Sequence, residues 1–521
     1  MRILCALAAL ALLAATAAPP DDPQVASILQ RRARTLAQLH VVYPKTIEMH
    51  GTLGGLGETG TFHRWRDGDR ERYDQAIGVR TLQTVRIGDS TYVRNSYGDV
   101  QTVGVAAAGR QRTEDWIDTN AFVQHPETVT PIGPGASADG RSVFRVRIAA
   151  PDGPPYGIGL DTATGMIDEK AYPEGGRVTT IEYYDYAVAD GALYARRQVQ
   201  SNGDSALDVT TTVTSVVVNR PIDAATFEIP QNVRIDTQSP ASVPLLLDKG
   251  LIYVRATANG KPLLLLVDSG SQGVVLSPDA AARLGLHPQG TIEIQGARQT
   301  KGAGIAPLDA IQIGEARLPV NIVSVVDLNG LAYTGKPVDG VLGFPLFAAA
   351  EVRIDPQKST LTVAQPGALP PQGVSIPVDV ARSLPEIVAK LDNRVDGRFV
   401  VDTGDASDLL VFHSFIEANP GVVFYGASET FADNKGVGGS SSAVPAAVDR
   451  LQLGPFTMYN RYANILLEDR GAFADGGDAG NVGYGTLKNF VLTFDVQNHV
   501  LFLDKTRWFD DGRYRPRYER M

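Results

Sequence analysis

The feature that most constrains the fold is a short motif that occurs twice, each time at the end of an apolar run. Leu264–Val267 leads into Asp268-Ser269-Gly270-Ser271, and Phe399–Val401 leads into Asp402-Thr403-Gly404. Apolar runs of this length predict buried β-strands. The two aspartates lie 134 positions apart, about the length of one small domain. The chain therefore carries two copies of a strand that ends in a carboxylate.

An aspartate at the end of a buried strand needs a partner, because an isolated buried charge is unstable. If the two copies face each other, Asp268 and Asp402 cannot both ionise, and they hold one proton between them. The ionised member is then a general base for water, and the protonated member is a general acid. One copy alone would be interpreted as a turn, but the duplication favours a catalytic pair.

The other members of the two motifs are predicted to support this pair. Their hydroxyl groups can tie the two loops together, and their glycines allow backbone amides to approach the carboxylates. These supporting residues are Ser269, Gly270, Ser271, Thr403 and Gly404.

The repeat continues on both sides of the motifs. Pro244 precedes Asp268 by 24 positions, and Pro377 precedes Asp402 by 25. Downstream, each copy has a stretch that ends in glycine, and an aspartate follows that glycine after 12 positions in both copies, Asp355 in the first and Asp495 in the second. These stretches contain Val341, Leu342 and Gly343 in the first copy, and Val482 and Gly483 in the second. Repetition over this length predicts two homologous lobes.

Together these motifs resemble the aspartic proteases of the retropepsin-like and pepsin-like clan, over about residues 242–505. The resemblance implies that Asp268 and Asp402 are catalytic, and that the two glycine-ending stretches form psi-shaped loops around the catalytic turns. The implied activity is hydrolysis of a peptide or protein substrate without a metal or organic cofactor. Since one chain supplies both lobes, the resemblance predicts a monomer with an internal pseudo-dimer.

Two positions in the second copy depart from the family pattern. Asp405 stands where the family has Ser or Ala, and Asn481 replaces an apolar residue. A third carboxylate beside the pair raises the shared pKa values and moves the singly protonated state away from the working pH. These departures leave open a catalytically inactive relative that binds peptide in the cleft.

Two glycine-rich stretches lie at the positions where the family has a β-hairpin flap over the bound peptide. The candidate flap residues are Gly302 and Gly304 in the first lobe, and Gly436, Gly438 and Gly439 in the second. Two such flaps would resemble the retropepsin dimer. The alternative is that both stretches are surface turns.

The N-terminus has the features of a secretory signal peptide. Arg2 is followed by a run of Leu and Ala from Ile3 to Ala15, and Ala15-Thr16-Ala17 is a small-x-small cleavage site. The single cysteine, Cys5, lies within this segment, so the mature chain is predicted to contain no disulfide or thiolate site. No later stretch is apolar enough to span a bilayer. We therefore expect a periplasmic or secreted protein.

The segment after the signal peptide is predicted to be a helix followed by antiparallel strands. Val25, Leu29, Leu36 and Leu39 can share one helix face, and short alternating runs follow up to Val218. The ending around 185–230 loosely resembles the outer-membrane-lipoprotein carrier fold, an incomplete β-barrel wrapped around a helix. That resemblance implies a concave face for lipid or lipoprotein, and a purely supporting domain is the alternative.

Several function classes are disfavoured. The formal net charge of −10 argues against a nucleic-acid partner. The glycine pattern at 55–60 matches a dinucleotide fingerprint by spacing, but a strand follows where that motif needs a helix. The seven histidines show no close metal-ligand spacing, so no metal site is predicted.

The predicted fold class is mainly β, with an N-terminal incomplete antiparallel barrel and two pseudo-symmetric lobes. The expected organisation is a signal peptide (1–18), a β-rich domain (19–235), lobe 1 (236–370), lobe 2 (371–505) and a tail (506–521). The expected function is an exported aspartic-type endopeptidase. The alternatives are an inactive peptide-binding relative and an envelope lipid- or lipoprotein-binding protein.

Overall fold

The computed structural model describes residues 22–55, 57–103, 105–174, 177–295, 300–329, 331–425, 432–436, 439–466 and 478–514. Contacts divide the chain into two compact units. The first contains the chain up to Arg94 together with Thr102–Pro230, and the second contains Asn95–Gln101 together with the chain from Gln231 onward. The predicted signal peptide lies outside the described residues.

The first unit is built on an antiparallel sheet. In chain order its strands are β1 Thr46–Gly55, β2 Glu58–Asp67, β3 Arg70–Ile77, β4 Arg80–Ile87, β5 Ser90–Arg94, β7 Val129–Ala136, β8 Ser142–Ile148, β9 Tyr156–Asp161, β10 Ile167–Glu174, β11 Arg177–Ala189, β12 Ala192–Ser201 and β13 Val209–Val218. The short strand β6 Val100–Thr102 begins in the segment that belongs to the second unit. The sheet order within the first unit is β5-β4-β3-β2-β1-β13-β12-β11-β10-β9-β8-β7. Hairpins join β1 to β2 and β2 to β3.

Three helices accompany this sheet: α1 Pro23–Gln38, α2 Val105–Asp118 and α3 Ala121–Gln124. Asp22 caps α1 by accepting hydrogen bonds from the backbone of Gln24 and Val25. The helix buries Val25 and Leu29 as predicted, but it ends before Leu39, which is 41% exposed.

The buried face of α1 also includes a charged residue that the apolar pattern did not predict. Arg32 is buried and donates hydrogen bonds to Asn120 Oδ1 at 2.7 Å and to the Gly165 carbonyl at 2.9 Å. A buried guanidinium is tolerated there because polar partners satisfy its N–H groups.

The second unit is also mostly β. The first repeat contains β14 Ala241–Asp248, β15 Leu251–Ala258, β16 Lys261–Val267, β17 Val274–Leu276, β18 Gln289–Gln295, β19 Thr300–Ile313, β20 Ala316–Val325, β21 Ala332–Tyr333, β22 Lys336–Pro337, β23 Gly340–Leu342, β24 Glu351–Asp355 and β25 Thr360–Ala364. The second repeat contains β26 Val374–Pro377, β27 Asp379–Ala381, β28 Leu384–Leu391, β29 Val395–Asp402, β30 Leu409–Phe412, β31 Phe424–Tyr425, β32 Ala432–Gly436, β33 Gly439–Leu453, β34 Phe456–Leu466, β35 Gly480–Gly483, β36 Phe490–Asp495 and β37 Val500–Lys505.

The two repeats have the same strand pairing around their aspartates. In the first, β16 runs parallel to β23, and β17 pairs antiparallel with β23 on its other side. In the second, β29 runs parallel to β35, and β30 pairs antiparallel with β35. The chain thus passes through the same psi-shaped arrangement twice, which confirms the predicted pair of pseudo-symmetric lobes.

A shared layer of strands joins the lobes. The order β14-β25-β24-β36-β37-β26 takes three strands from each repeat, and β24 pairs antiparallel with β36 at the centre. Ile354 and Phe494, one on each of these central strands, are fully buried. This continuous sheet fixes the position of one lobe against the other.

Short helices follow the psi-shaped strands and the aspartate loops: α4 Pro278–Arg283, α5 Phe344–Ala349, α6 His413–Ala418 and α7 Tyr484–Leu487. Across the described part of the chain, no helix combines the length and the hydropathy needed to cross a membrane.

Candidate active site

The two aspartates occupy equivalent places in the two lobes. Asp268 directly follows β16, and Asp402 is the last residue of β29. The Gly270 amide donates to Asp268 Oδ1 at 2.9 Å, and the Gly404 amide donates to Asp402 Oδ1 at the same distance. Gly270 lies against the Asp402 carboxyl group, and Gly404 lies against the Asp268 carboxyl group. The structure therefore brings together the two carboxyl groups that the sequence placed 134 positions apart.

The hydroxyl groups beside the aspartates cross-link the two loops. The Ser269 amide donates to Thr403 Oγ1, and the Thr403 amide donates to Ser269 Oγ, both at 3.0 Å. The two hydroxyls in turn donate to carbonyls of the opposite lobe, Ser269 Oγ to Val401 and Thr403 Oγ1 to Val267 at 2.9 Å. Both side chains are fully buried, so water cannot replace these bonds.

Removing one hydroxyl from this network tests its contribution. Thr403→Val leaves the Ser269 amide and the Val267 carbonyl without partners, and we expect the free energy of unfolding to fall by about 2–4 kcal/mol. Thr403→Ser keeps the hydroxyl and is the matched control. The measurement is the free energy of unfolding in denaturant. It is made on both Thr403 variants, on Ser269→Ala, and on the double variant that combines Ser269→Ala with Thr403→Val. A double variant whose loss equals the sum of the single losses would mean that the two hydroxyls do not act together.

Glycine follows each hydroxyl residue because the opposite carboxyl group lies against it. A Cβ atom on Gly270 would lie 2.5 Å from Asp402 Cγ, and one on Gly404 would overlap Asp268 Cγ in the same way. Neither glycine has a positive φ, so the requirement comes from space across the interface. Each glycine thus admits the carboxyl group of the other lobe.

Burial raises the pKa of both carboxyl groups. Burial raises the pKa of Asp268 to about 6, with a further contribution from the Asp405 carboxylate. Burial also raises the pKa of Asp402 well above its usual range, and the charges of Asp268 and Asp405 act in the same direction. Two adjacent carboxyl groups lose their protons in two steps that belong to the pair. The pair therefore retains one proton above about pH 6.

Asn481, which the sequence showed as a departure from the family, contacts the pair directly. It lies on β35 beside Val400 of the aspartate strand, and its Nδ2 donates to Asp402 Oδ2 at 2.7 Å. The matching position in the first lobe is Val341, which pairs with Leu266 and has no such donor. An amide donor stabilises the ionised carboxylate and so opposes the rise in the pKa of Asp402. Asn481 makes the two halves of the site chemically unequal.

Asp405 is held in the loop that follows Asp402. Its carboxylate accepts hydrogen bonds from the Ser407 amide and the Ser407 hydroxyl, each at 2.8 Å. Burial raises the pKa of Asp405, and the hydrogen bonds from Ser407 oppose that rise. The carboxylate therefore acts on the pair through its charge.

The glycine-ending stretches enclose the aspartate loops as the resemblance implied. In the first lobe, a Cβ atom on Gly343 would overlap the backbone of Ser271 and Gly273. In the second lobe, a Cβ atom on Gly483 would overlap the backbone of Asp405 and Ser407. The neighbouring residues Val341, Leu342 and Val482 are buried in β23 and β35. Sequence reasoning based on the repeat located these stretches, because the same close approach is needed in both lobes.

The candidate flap glycines lie in or beside two hairpins. Gly302 and Gly304 lie within β19, where Gly302 pairs with Glu293 of β18, and the turn between these strands falls outside the described residues. Gly436 pairs with Gly439 at the end of the β32–β33 hairpin, and Gly438 lies outside the described residues. The first-lobe glycines are therefore strand residues, and a flap role for either hairpin stays a prediction.

A segment from the N-terminal part of the chain is a component of the second unit, and no sequence pattern indicated it. Tyr97 is hydrogen-bonded to Ser324 and to the backbone of Val274, and its ring packs against the backbone of Gly273, five positions after Asp268. Asp99, which is 2% exposed, accepts a hydrogen bond from Ser383 Oγ of the second lobe at 2.9 Å. The segment Asn95–Gln101 thus contacts both lobes next to the first aspartate loop.

A cavity of about 550 Å³ lies beside the second aspartate loop. Its walls include Gly250, Lys488, Trp508 and Tyr484, whose amide donates to the Asp405 carbonyl. The Tyr484 hydroxyl is buried and has no hydrogen-bond partner among the described residues. The lining combines apolar residues with charged residues of both signs, Asp248 and Lys249 among them.

Comparison with known proteins agrees with this architecture. Residues 254–346 match the family model described as Aspartyl protease. Over 117 residues the chain is 28% identical to DNA damage-inducible protein 1 of Phaeosphaeria nodorum, a match that covers 21% of this chain and 24% of that protein. The chain thus spans about a quarter of the length of this relative.

Two solved structures are each similar to a part of the chain. The aspartic proteinase from Irpex lacteus is 13% identical, with coverage of 52% of this chain and 98% of that one and a TM-score of 0.35. A LolA superfamily protein from Nitrosomonas europaea is 10% identical, with coverage of 38% and 97% and a TM-score of 0.26. With its doubled aspartate loops and its family match over 254–346, the second unit resembles the aspartyl proteases.

Proposed function

We propose that this protein is an aspartic-type endopeptidase that hydrolyses peptide bonds with Asp268 and Asp402 as its carboxyl pair. The observation that carries the proposal is the reciprocal contact between the lobes, in which each glycine of one loop lies against the carboxyl group of the other. The raised pKa values of the two carboxyl groups also support the proposal, because the pair then keeps one proton near neutral pH. Acid–base catalysis by two carboxyl groups needs this singly protonated state.

In the proposed reaction, the ionised carboxylate takes a proton from a water molecule between the two groups. The water oxygen forms a bond to the scissile carbonyl carbon, and the protonated carboxyl group gives its proton to the carbonyl oxygen. Collapse of the tetrahedral intermediate breaks the C–N bond. The protonated carboxyl group gives its proton to the leaving amine, and the other carboxylate takes a proton from a hydroxyl group of the intermediate as the product carboxyl group forms. No covalent bond to the enzyme forms, and the pair returns to its singly protonated state.

The proposed substrate is an extended peptide that lies across the aspartates between the two lobes. Such a peptide can add to the edges of the neighbouring hairpins through backbone hydrogen bonds, as an extra strand. The β18–β19 and β32–β33 hairpins are the candidates for this contact. The leader-like N-terminus supports export to the periplasm or the medium, and the paired lobes in one chain support a monomer.

Incubation of the purified protein with denatured casein between pH 4 and 8 tests the proposal. We expect cleavage that is lost in the Asp268→Asn and Asp402→Asn variants. A folded protein that binds the unfolded polypeptide but does not cleave it at any of these pH values would overturn the proposal and favour the inactive peptide-binding alternative.

The pH dependence of cleavage provides a further prediction. Because the pKa of Asp268 is raised to about 6, both carboxyl groups are protonated below that pH and the general base is lost. We therefore expect kcat/KM to rise with pH through about 6. Asp405 raises the pKa of both members of the pair, so Asp405→Asn is expected to move this rise to lower pH.

The matched control for the pH profile is Asp309→Asn, which removes the same charge from an exposed position in the first lobe. Asp309 is 86% exposed in its side chain, and solvent screens its charge. An unchanged profile for Asp405→Asn, or a shift to higher pH, would show that Asp405 does not act on the pair as described.

A further inference from the structure

Three potential metal ligands converge on one face of the sheet in the first unit. Glu48 and His50 are two positions apart on β1, so their side chains point to the same face. His63 on β2 is directly opposite His50 in the antiparallel register. The spacing of His50 and His63 along the chain does not indicate this contact. The two residues come together only because β1 and β2 pair as a hairpin.

The ligand atoms of these residues nearly meet at one point. His50 Nε2 lies 3.0 Å and His63 Nε2 lies 2.8 Å from the same atom, Glu48 Oε1. All three ligand atoms lie within 4.8 Å of one another. Tetrahedral zinc, with bonds of roughly 2.0–2.2 Å, separates its ligand atoms by about 3.3 Å. A small outward movement of the three side chains would therefore make room for an ion.

The surroundings leave the cluster accessible and hold it in place. The side chains of His50, Glu48 and His63 are 43%, 31% and 26% exposed, so an ion can enter and a water molecule can complete its coordination. Trp65 stacks on His63 with ring centroids 3.3 Å apart and fixes the orientation of that imidazole. Asp74, opposite His63 on β3, adds negative charge nearby.

We propose that Glu48, His50 and His63 bind a divalent transition-metal ion, for which zinc is the best match. Two imidazoles and one carboxylate suit zinc and copper, whereas magnesium and calcium prefer sites built from oxygen ligands alone. Three protein ligands leave a fourth position for water. This site lies in the first unit and is independent of the aspartate pair.

Isothermal titration of zinc chloride into the full-length protein, after dialysis against a chelator, tests the proposal. We expect one equivalent to bind, and we expect His50→Gln and His63→Gln each to weaken binding by more than about 100-fold, since even the loss of a group that only hydrogen-bonds to a metal ligand costs about 10–100-fold. His125→Gln is the matched control. His125 has the same type of contact with a glutamate, Glu127 at 3.0 Å, and it is outside the three-residue cluster. Circular dichroism of each variant verifies its fold.

Trp65 provides a second measurement that does not depend on heats of binding. Copper(II) bound at His63 is expected to quench the fluorescence of the stacked indole, and Trp65→Phe should remove that response without removing zinc binding. Absence of zinc binding, or binding that is unchanged in both histidine variants, would overturn the proposal and leave Glu48, His50 and His63 as a hydrogen-bonded cluster only.

Discussion

Replacement of Asp268 by asparagine is expected to lower kcat for peptide hydrolysis by at least about 10³-fold, within the range that positioned acid–base groups contribute. The amide can neither take a proton from water nor hold the shared proton. The protein should stay folded, because the substitution removes a buried ionisable group, and such a group at a functional site costs stability. The measurement is single-turnover cleavage of a labelled peptide, together with a thermal unfolding curve.

Asp309→Asn is the matched control for this result as well, since it makes the same chemical change at an exposed position of the same lobe. The control should retain full activity. An Asp268→Asn variant that is folded and cleaves at the rate of the unchanged protein would exclude Asp268 from the reaction.

Substitution of Gly404 by alanine is expected to lower activity by about 10²-fold or more, although it changes no titratable group. The new methyl group would overlap Asp268 Cγ, and the carboxyl group cannot retreat without leaving its partner. A displacement of about 1 Å within a catalytic site is sufficient for a loss of this size. The assay is kcat/KM on the same peptide, and the free energy of unfolding is expected to fall as well.

Gly54→Ala provides the comparison for this substitution. A Cβ atom on Gly54 would meet no atom within 4 Å, and its φ is not positive. We expect this variant to behave like the unchanged protein. If Gly404→Ala were fully active, Asp268 and Gly404 could not be in the close contact that places the two lobes face to face.

The repeat predicted much of the architecture because both of its copies face the same physical constraint. Gly343 and Gly483 are needed where a strand passes against the backbone of an aspartate loop, and the constraint is visible in the sequence as equal spacing in two places. The mainly β fold also followed from the alternating runs and turn residues. These features depend on local pattern and on repetition, which a single sequence contains.

Other features depend on contacts that a single sequence does not display. Asn481 looked like a loss of apolar packing, whereas in the structure it donates to Asp402. Tyr97 is 171 positions before Asp268 and still packs beside its loop. Arg32 lies on the buried face of its helix because Asn120 and Gly165 supply partners. In each case the deciding partner is distant in the chain, and its position is set by the fold.

Ionisation of Asp402 provides the most direct test of the claim that the two lobes share one proton. The measurement is a titration of the carboxyl carbon of Asp402 by ¹³C NMR in the unchanged protein and in Asp268→Asn. Because the charge of Asp268 raises the pKa of Asp402, its removal is predicted to move the Asp402 midpoint to lower pH. A midpoint that stays in place when Asp268 is replaced would contradict the account.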